Sequence, residues 1–170
     1  IPLRLVGSEM CIRDRFHLAW SLVLGRTTGR DDVVFGTVLF GRMQGGEGVE
    51  RALGMFINTL PLRVRLGERS VQECLRQTHE GLSGLMHHEH ATLSLAQRCS
   101  ALEGGTPLFS TLLNYRYSAA QDVDTAARTW EGLTVLGGEE RTNYPVTVSI
   151  DDLGEGFGIV MQASESIGAP

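Results

Sequence analysis

The sequence predicts an α/β fold, a two-layer sandwich of helices on a mixed sheet, from three observations. The nearly unbroken apolar run Val33-Val34-Phe35-Gly36-Thr37-Val38-Leu39-Phe40 has the β-branched and aromatic content of a strand buried on both faces. Farther on, Val71, Cys74, Leu75, Thr78, Leu82, Leu85 and Met86 recur at the spacing of one helix face. Near the C-terminus Val146, Val148 and Ile150 alternate with polar residues, Asp152-Leu153-Gly154-Glu155-Gly156 turns, and Phe157, Ile159 and Met161 return, which is a hairpin pattern. Strands interspersed with long helices pack as layers around one sheet.

Residues 1–15, IPLRLVGSEMCIRDR, show no helix or strand period and no apolar core long enough for a signal peptide. They resemble a peptide translated in error from sequencing-adapter DNA. They are expected to lie outside the fold, as a non-native or disordered segment, leaving residues 16–170 as the domain. Phe16 to Thr28 reads as a helix whose apolar stripe is Phe16, Trp20, Val23 and Leu24, with Gly29 as its stop. The strand that follows ends at Gly41-Arg42, and Gln44 to Gly48 is a glycine-rich connection. Val49, Leu53 and Phe56 then suggest a short helix. The chain turns at Asn58-Thr59 into a second strand, where Leu60, Leu62, Val64 and Leu66 alternate with Pro61, Arg63 and Arg65.

Ser70-Val71-Gln72-Glu73 opens the long amphipathic helix as a capping box, serine and glutamate each satisfying a first-turn amide. A shorter helical piece lies near Leu93 to Cys99. Phe109 to Tyr115 reads as a strand, Ser118 to Arg128 as a polar surface excursion, and Leu133 to Leu136 as another short strand.

Composition removes several function classes. Hydrophobic content is 42%, charged content 21% and net charge −5, so there is no basic footprint for nucleic acid or an anionic membrane. No run approaches the ~18 apolar residues that span a bilayer. Cys11, Cys74 and Cys99 are scattered and odd in number, which fits reduced thiols of a cytoplasmic protein. Cys74 falls on the apolar helix face and packs as a small hydrophobe. No G-x-S-x-G elbow is present, and Gly45-Gly46-Glu47-Gly48 lacks the lysine and hydroxyl of a phosphate-binding loop. His87-His88-Glu89-His90 lacks the H-E-x-x-H spacing and the further ligands of a zinc site, so it reads as a polar helix end and no metal is expected.

The segments DDVVFGTVLFGR, GMFINTLPLRV, HEHATLSLAQR and TPLFSTLLNYR, in that order, resemble motifs of the condensation domains of nonribosomal peptide synthetases. The resemblance spans about residues 16–163 and implies the C-terminal lobe of such a domain, similar to chloramphenicol acetyltransferase. It implies amide formation between a carrier-bound acyl or peptidyl thioester and a carrier-bound aminoacyl amine, in a tunnel between two lobes. The family's His-His-x-x-x-Asp-Gly signature belongs to the N-terminal lobe and does not occur here. After His87-His88 the Asp-Gly positions hold Thr92-Leu93. No catalytic residue is therefore expected in this chain, which alone should be inactive.

The implied partners are the N-terminal lobe and the carrier-protein and adenylation domains of a multidomain synthetase. Phosphopantetheine rides on the carriers, with no cofactor bound directly. HEHATLSLAQR and RTNYPVTVSIDDLGEGF look most like lipopeptide-type synthetases, including a subgroup that also epimerises. Two alternatives stay open: the lobe of an epimerisation domain or related thioester-dependent acyltransferase, and a noncatalytic docking module.

Asn58 is the leading site candidate. At a junction of helix and strand it could simply supply a left-handed helix end. The resemblance instead places the Asn58-Thr59 motif beside the tunnel, where the amide could position a pantetheine arm, a substrate or the partner lobe. Arg42, just after the buried strand, either pairs structurally with a carboxylate or borders the tunnel, and Asn114 and Arg116 are weaker tunnel candidates.

Overall fold

The computed structural model describes residues 12–41, 53–103, 105–117 and 140–167. The chain divides into two compact units, residues 1–109 and 110–170. The first holds α1 (Ile12–Thr28), β1 (Asp32–Leu39), β2 (Asn58–Arg65), α2 (Val71–His87) and α3 (Leu93–Cys99). The second holds β3 (Thr111–Tyr117), β4 (Val146–Asp152), β5 (Phe157–Ala163) and a short 3₁₀ turn at Glu165–Ile167. Strands of both pairing senses with packed helices are the expected α/β class.

In the first unit β1 and β2 pair antiparallel, from Asp32 opposite Arg65 to Leu39 opposite Asn58. Val33, Phe35 and Leu39 of β1, and Leu60, Leu62 and Val64 of β2, are buried. Alternation in β2 is as expected, because Arg63 and Arg65 point to solvent. Arg63 grips the carboxylate of Asp32 with both Nε and Nη2, at 2.8 and 2.6 Å. Helix α1 packs on β1 and α2, while α2 and α3 pack on β2.

Helix α1 corrects two expectations. It begins at Ile12 rather than Phe16. Its buried face is Asp14, His17, Leu18, Ser21 and Gly25, not the stripe of Phe16, Trp20, Val23 and Leu24, and Val23 is 47% exposed. Small and polar residues win that face because the neighbouring elements come close. A Cβ on Gly25 would lie 2.6 Å from Leu66 Cδ1, and the imidazole of His17 reaches Thr37 of β1. The expected stop holds: Gly29 has φ 66°, and Arg30 N–H donates to Gly25 C=O at 3.1 Å.

His17 has its ring orientation fixed at both ends. Nδ1–H donates to Arg13 C=O at 2.7 Å, so Nε2 accepts from the Thr37 hydroxyl at 2.7 Å. Burial lowers its pKa from 6.5 to about 4. The unfolded chain takes up this proton below 6.5 and the native chain does not. Stability therefore falls as pH drops from 6.5 towards 4, by about 3 kcal/mol from this residue, and levels off below that. Urea unfolding across this range checks the slope; an NMR titration of His17 with a midpoint near 6.5 would refute its cause.

Asp14 sits in the segment marked for exclusion, and its chemistry there is unfavourable. The side chain is fully buried, and Oδ2 accepts from His79 Nδ1 at 2.7 Å. Oδ1 and Arg13 Nε are buried without hydrogen-bond partners among the described residues and stand 3.7 Å apart. Removing the carboxylate alone would leave His79 and the buried Arg13 Nε without it and force a larger side chain into a closed site, so Asp14→Leu is expected to destabilise the chain by about 2 kcal/mol. An unchanged or higher melting temperature for that variant would show that the desolvation outweighs the His79 pair.

Helix α2 begins at the expected Ser70, whose Oγ accepts from Glu73 N–H at 3.2 Å. The reciprocal half of the capping box is not made. The Glu73 carboxylate instead takes Arg76 and Gln77 Nε2. Cys74, Thr78 and Leu82 are the buried face, whereas Val71 is 67% exposed, against expectation.

In the second unit β3 pairs parallel with β4, Thr111 opposite Val146 through Tyr117 opposite Asp152. β4 pairs antiparallel with β5 in the expected hairpin. Leu113, Val148 and Ile150 are buried on one side and Leu112, Thr147 and Ser149 on the other, so both faces of β4 are covered. The strand expected at Leu133 to Leu136, the excursion Ser118 to Arg128 and the loop Gln44 to Gly48 lie outside the described residues. Among the described residues no helix is long and apolar enough to cross a membrane.

Candidate functional site

The site grows from the end of β1 and the start of β2. Gly41 follows β1 with φ 63°, and a Cβ there would stand 2.1 Å from Phe56 O. Only glycine lets the backbone of residue 56 cross so closely. Leu53 to Ile57 is not helical, so the short helix expected through Leu53 and Phe56 is absent over these residues, and Val49 lies outside the described ones. Backbone–backbone approach at Gly41, rather than a packed apolar face, places this segment. Its side chains consequently stay in water: Leu53 is 100% exposed, Met55 94% and Ile57 61%. Phe40 and the stretch from Gly54 to Ile57 border a cleft of about 230 Å³.

Asn58 is the first residue of β2, not the left-handed end of a helix. Its Nδ2 donates to Glu89 C=O at 2.8 Å and to Ala91 C=O at 2.7 Å. Its Oδ1 accepts from Thr59 N–H at 2.9 Å. Both amide hydrogens are thus committed to the turn between α2 and α3, leaving one Oδ1 lone pair. That turn carries His88 and His90 on its exposed side and buries Glu89, with His90 Nε2 3.7 Å from Glu89 Oε1. Thr92 caps α3 by accepting from Leu95 N–H at 3.2 Å. No group of three or more His, Cys, Asp or Glu among the described residues could hold a metal ion.

The other candidates fall next to Asn58, in the second unit or outside the described residues. Thr59 adjoins Asn58 and serves it through the backbone. Arg42 lies outside the described residues. Asn114 belongs to β3 in the second unit, opposite Ser149, and its Oδ1 is buried without a hydrogen-bond partner among the described residues. Arg116 is a structural ion-pair residue. It meets its cross-strand partner Asp151 through Nε at 2.7 Å and Nη2 at 3.1 Å, and Glu140 through Nη1 at 2.7 Å, which raises its pKa further. Sequence reasoning missed His17 and the Tyr115–Asp152 hydrogen bond in the second unit. Neither has a local signal, since the side-chain partner in each case, Thr37 and Asp152, lies far along the chain.

Comparison with known proteins places these features in a family context. The sequence profile described as "Condensation domain" matches residues 8–167. Malpibaldin synthetase of Mortierella alpina is 52% identical over 149 residues, covering 88% of this chain and 3% of that protein. Malpinin synthetase of the same organism is 50% identical over 153 residues, covering 89% of this chain and 2% of that one. The chain therefore spans only a few hundredths of the curated relatives it matches. Among solved structures, the starter condensation domain of rhizomide synthetase, as a mutant in complex with C8-CoA, superposes with a TM-score of 0.65 at 19% identity. That match covers 90% of this chain and 34% of the other.

Proposed function

Since the chain belongs to the condensation-domain family, we propose that it is the C-terminal lobe of a domain that forms amide bonds in a nonribosomal peptide synthetase. The amine of one carrier-bound aminoacyl group attacks the thioester carbonyl of another, and the carrier thiol leaves. A general base for the amine comes from the lobe bearing His-His-x-x-x-Asp-Gly, not from this chain.

The observation that carries the reading is the exposed apolar segment at the Asn58 end of β1. Leu53, Met55 and Ile57 beside Phe40 are more apolar surface than a finished wall leaves in water, and a second lobe laid against them buries it. Asn58 contributes by fixing the 88–91 turn that stands next to this surface. Its remaining Oδ1 lone pair, Thr59, Arg42 and Asn114 are our tunnel-lining assignments. Phosphopantetheine arms on carrier proteins bring both substrates, and adenylation domains load them, in the cytoplasm. Lipopeptide-type assembly is the subtype we favour, on the HEHATLSLAQR and RTNYPVTVSIDDLGEGF motifs.

The test mixes this chain with one aminoacyl-loaded and one peptidyl-loaded carrier, with and without the N-terminal lobe. The chain alone should give no amide above background, and the reunited lobes should give product. Product from the chain alone would overturn the assignment and return attention to His87, His88 and His90.

A further inference from the structure

At the opposite end of β1 from Asn58 the first unit builds a second cleft, of about 510 Å³, which the reaction above does not use. It lies where the end of α1, the start of β1, the β2–α2 turn and the first turn of α2 meet. Buried Leu18, Leu66 and Cys74 form its floor. Leu22 and Val71 flank it at 38% and 67% exposure, so apolar side chains stand in water beside unfilled space. The rim carries Arg26, Arg30 and Arg69, opposed among its lining residues only by Asp31. A rim of net +2 is a local inversion in a chain of net charge −5.

The rim is held in place by turns. Gly29 at φ 66° and the Arg30 N–H to Gly25 C=O bond at 3.1 Å set Arg26 and Arg30 on one side. Leu66 N–H donates to Asp31 C=O at 2.6 Å, closing the base. Arg69 Nη1 donates to Arg65 C=O at 3.0 Å, which fixes its guanidinium while leaving its other donors available. A preformed cationic rim over an apolar floor suits one kind of occupant, an apolar anchor flanked by carboxylates. Because Leu22, Val71 and the arginines are exposed, the cleft is open along one side. A small amphiphile would leave that flank wet, whereas a protein segment brings its own cover.

We infer that this cleft docks an acidic amphipathic helix of a partner domain. The partner's leucine or phenylalanine side chains enter between Leu22 and Val71, and its carboxylates meet Arg26, Arg30 and Arg69. Nucleic acid is a poorer fit, because a net rim charge of +2 over an apolar floor offers little to a phosphate backbone.

Fluorescence anisotropy of the whole chain with a labelled synthetic helix of glutamate and leucine at amphipathic spacing tests this. Saturable binding is expected at low salt, weakening steeply as salt rises. Arg26→Glu and Arg30→Glu should each weaken it by about tenfold, and Val71→Asp by a similar factor. All three positions are exposed, so melting temperatures should stay at the parent value. The same helix with lysine for glutamate should not bind. Affinity unchanged by these substitutions, or dodecanoate binding with the same mutational sensitivity and displacing the helix, would overturn the proposal, the latter in favour of a small-amphiphile site.

Discussion

Gly41→Ala is expected to cost the first unit about 4 kcal/mol, enough to remove most of the stability of a marginal domain. Two penalties combine at this position. An alanine held at φ 63° costs about 1–2 kcal/mol from its own backbone. Its Cβ would also meet the carbonyl oxygen of Phe56 at 2.1 Å, and a backbone atom cannot swing aside as a side chain does. Gly36→Ala is the instructive contrast. Its Cβ would press on the buried Phe109 ring at 2.4 Å, a side chain that can shift by repacking where backbone cannot, so a loss of about 2 kcal/mol is expected. Gly84→Ala, with nothing within 4 Å on the exposed side of α2, should gain about 0.5–1 kcal/mol. Urea unfolding of the three variants measures the order. A Gly41→Ala protein as stable as the parent would mean that the 53–57 segment does not cross the end of β1 as described.

Asn58→Asp should be comparably damaging, and more so than Asn58→Ala. Alanine deletes both donors and leaves the carbonyls of Glu89 and Ala91 to water or to nothing, at about 2 kcal/mol. Aspartate has nearly the same shape but points a charged oxygen at two carbonyl oxygens within 3 Å, for about 4 kcal/mol near neutral pH. The carbonyls hold the folded-state pKa of that new carboxyl above its unfolded value. Its neutral form, which can donate one bond, is therefore the one the fold accepts, and relative to the parent the variant should recover part of its stability as pH falls through that raised value, the recovery being complete near the unfolded value of about 4. If aspartate and alanine were equally stable at pH 7, the amide would not be holding the 88–91 turn. In the reunited domain, lost product from a folded Asn58→Ala variant would combine displacement of that turn with loss of the proposed tunnel-lining Oδ1.

The contrast between α1 and β2 shows what the sequence could reveal. In β2 the side-chain period is two and one face is wet, so Leu60, Leu62 and Val64 declare themselves against Arg63 and Arg65. Helix α1 has no such contrast. Its buried positions include Asp14, His17, Ser21 and Gly25, chosen by close approach and hydrogen bonding rather than hydrophobicity, so an apolar count selects the wrong stripe. The hairpin of β4 and β5 was legible because its turn residues and both alternations lie within one window. Asn58 could be singled out as a lone polar residue in an apolar stretch. Its partners could not, because they are backbone carbonyls 31 and 33 residues away that carry no side-chain signature. The apparent helix through Leu53 and Phe56 failed because helical spacing without burial gives a short segment no reason to coil.

The parallel pairing of β3 with β4 also fixes an order of assembly. Thr111 meets its β4 partner at Val146, so this ladder has to wait on a growing chain until that far strand has been made. β4 and β5 are separated only by the Leu153–Gly156 turn and can zip on the microsecond scale of an isolated hairpin. Joining β3 to β4 brings together residues far apart in the chain, a closure cost that precedes the contacts of the ladder. Within the second unit the hairpin is therefore expected to form ahead of the β3–β4 ladder, and changes that weaken the Val148 and Ile150 face are expected to slow folding more than they hasten unfolding.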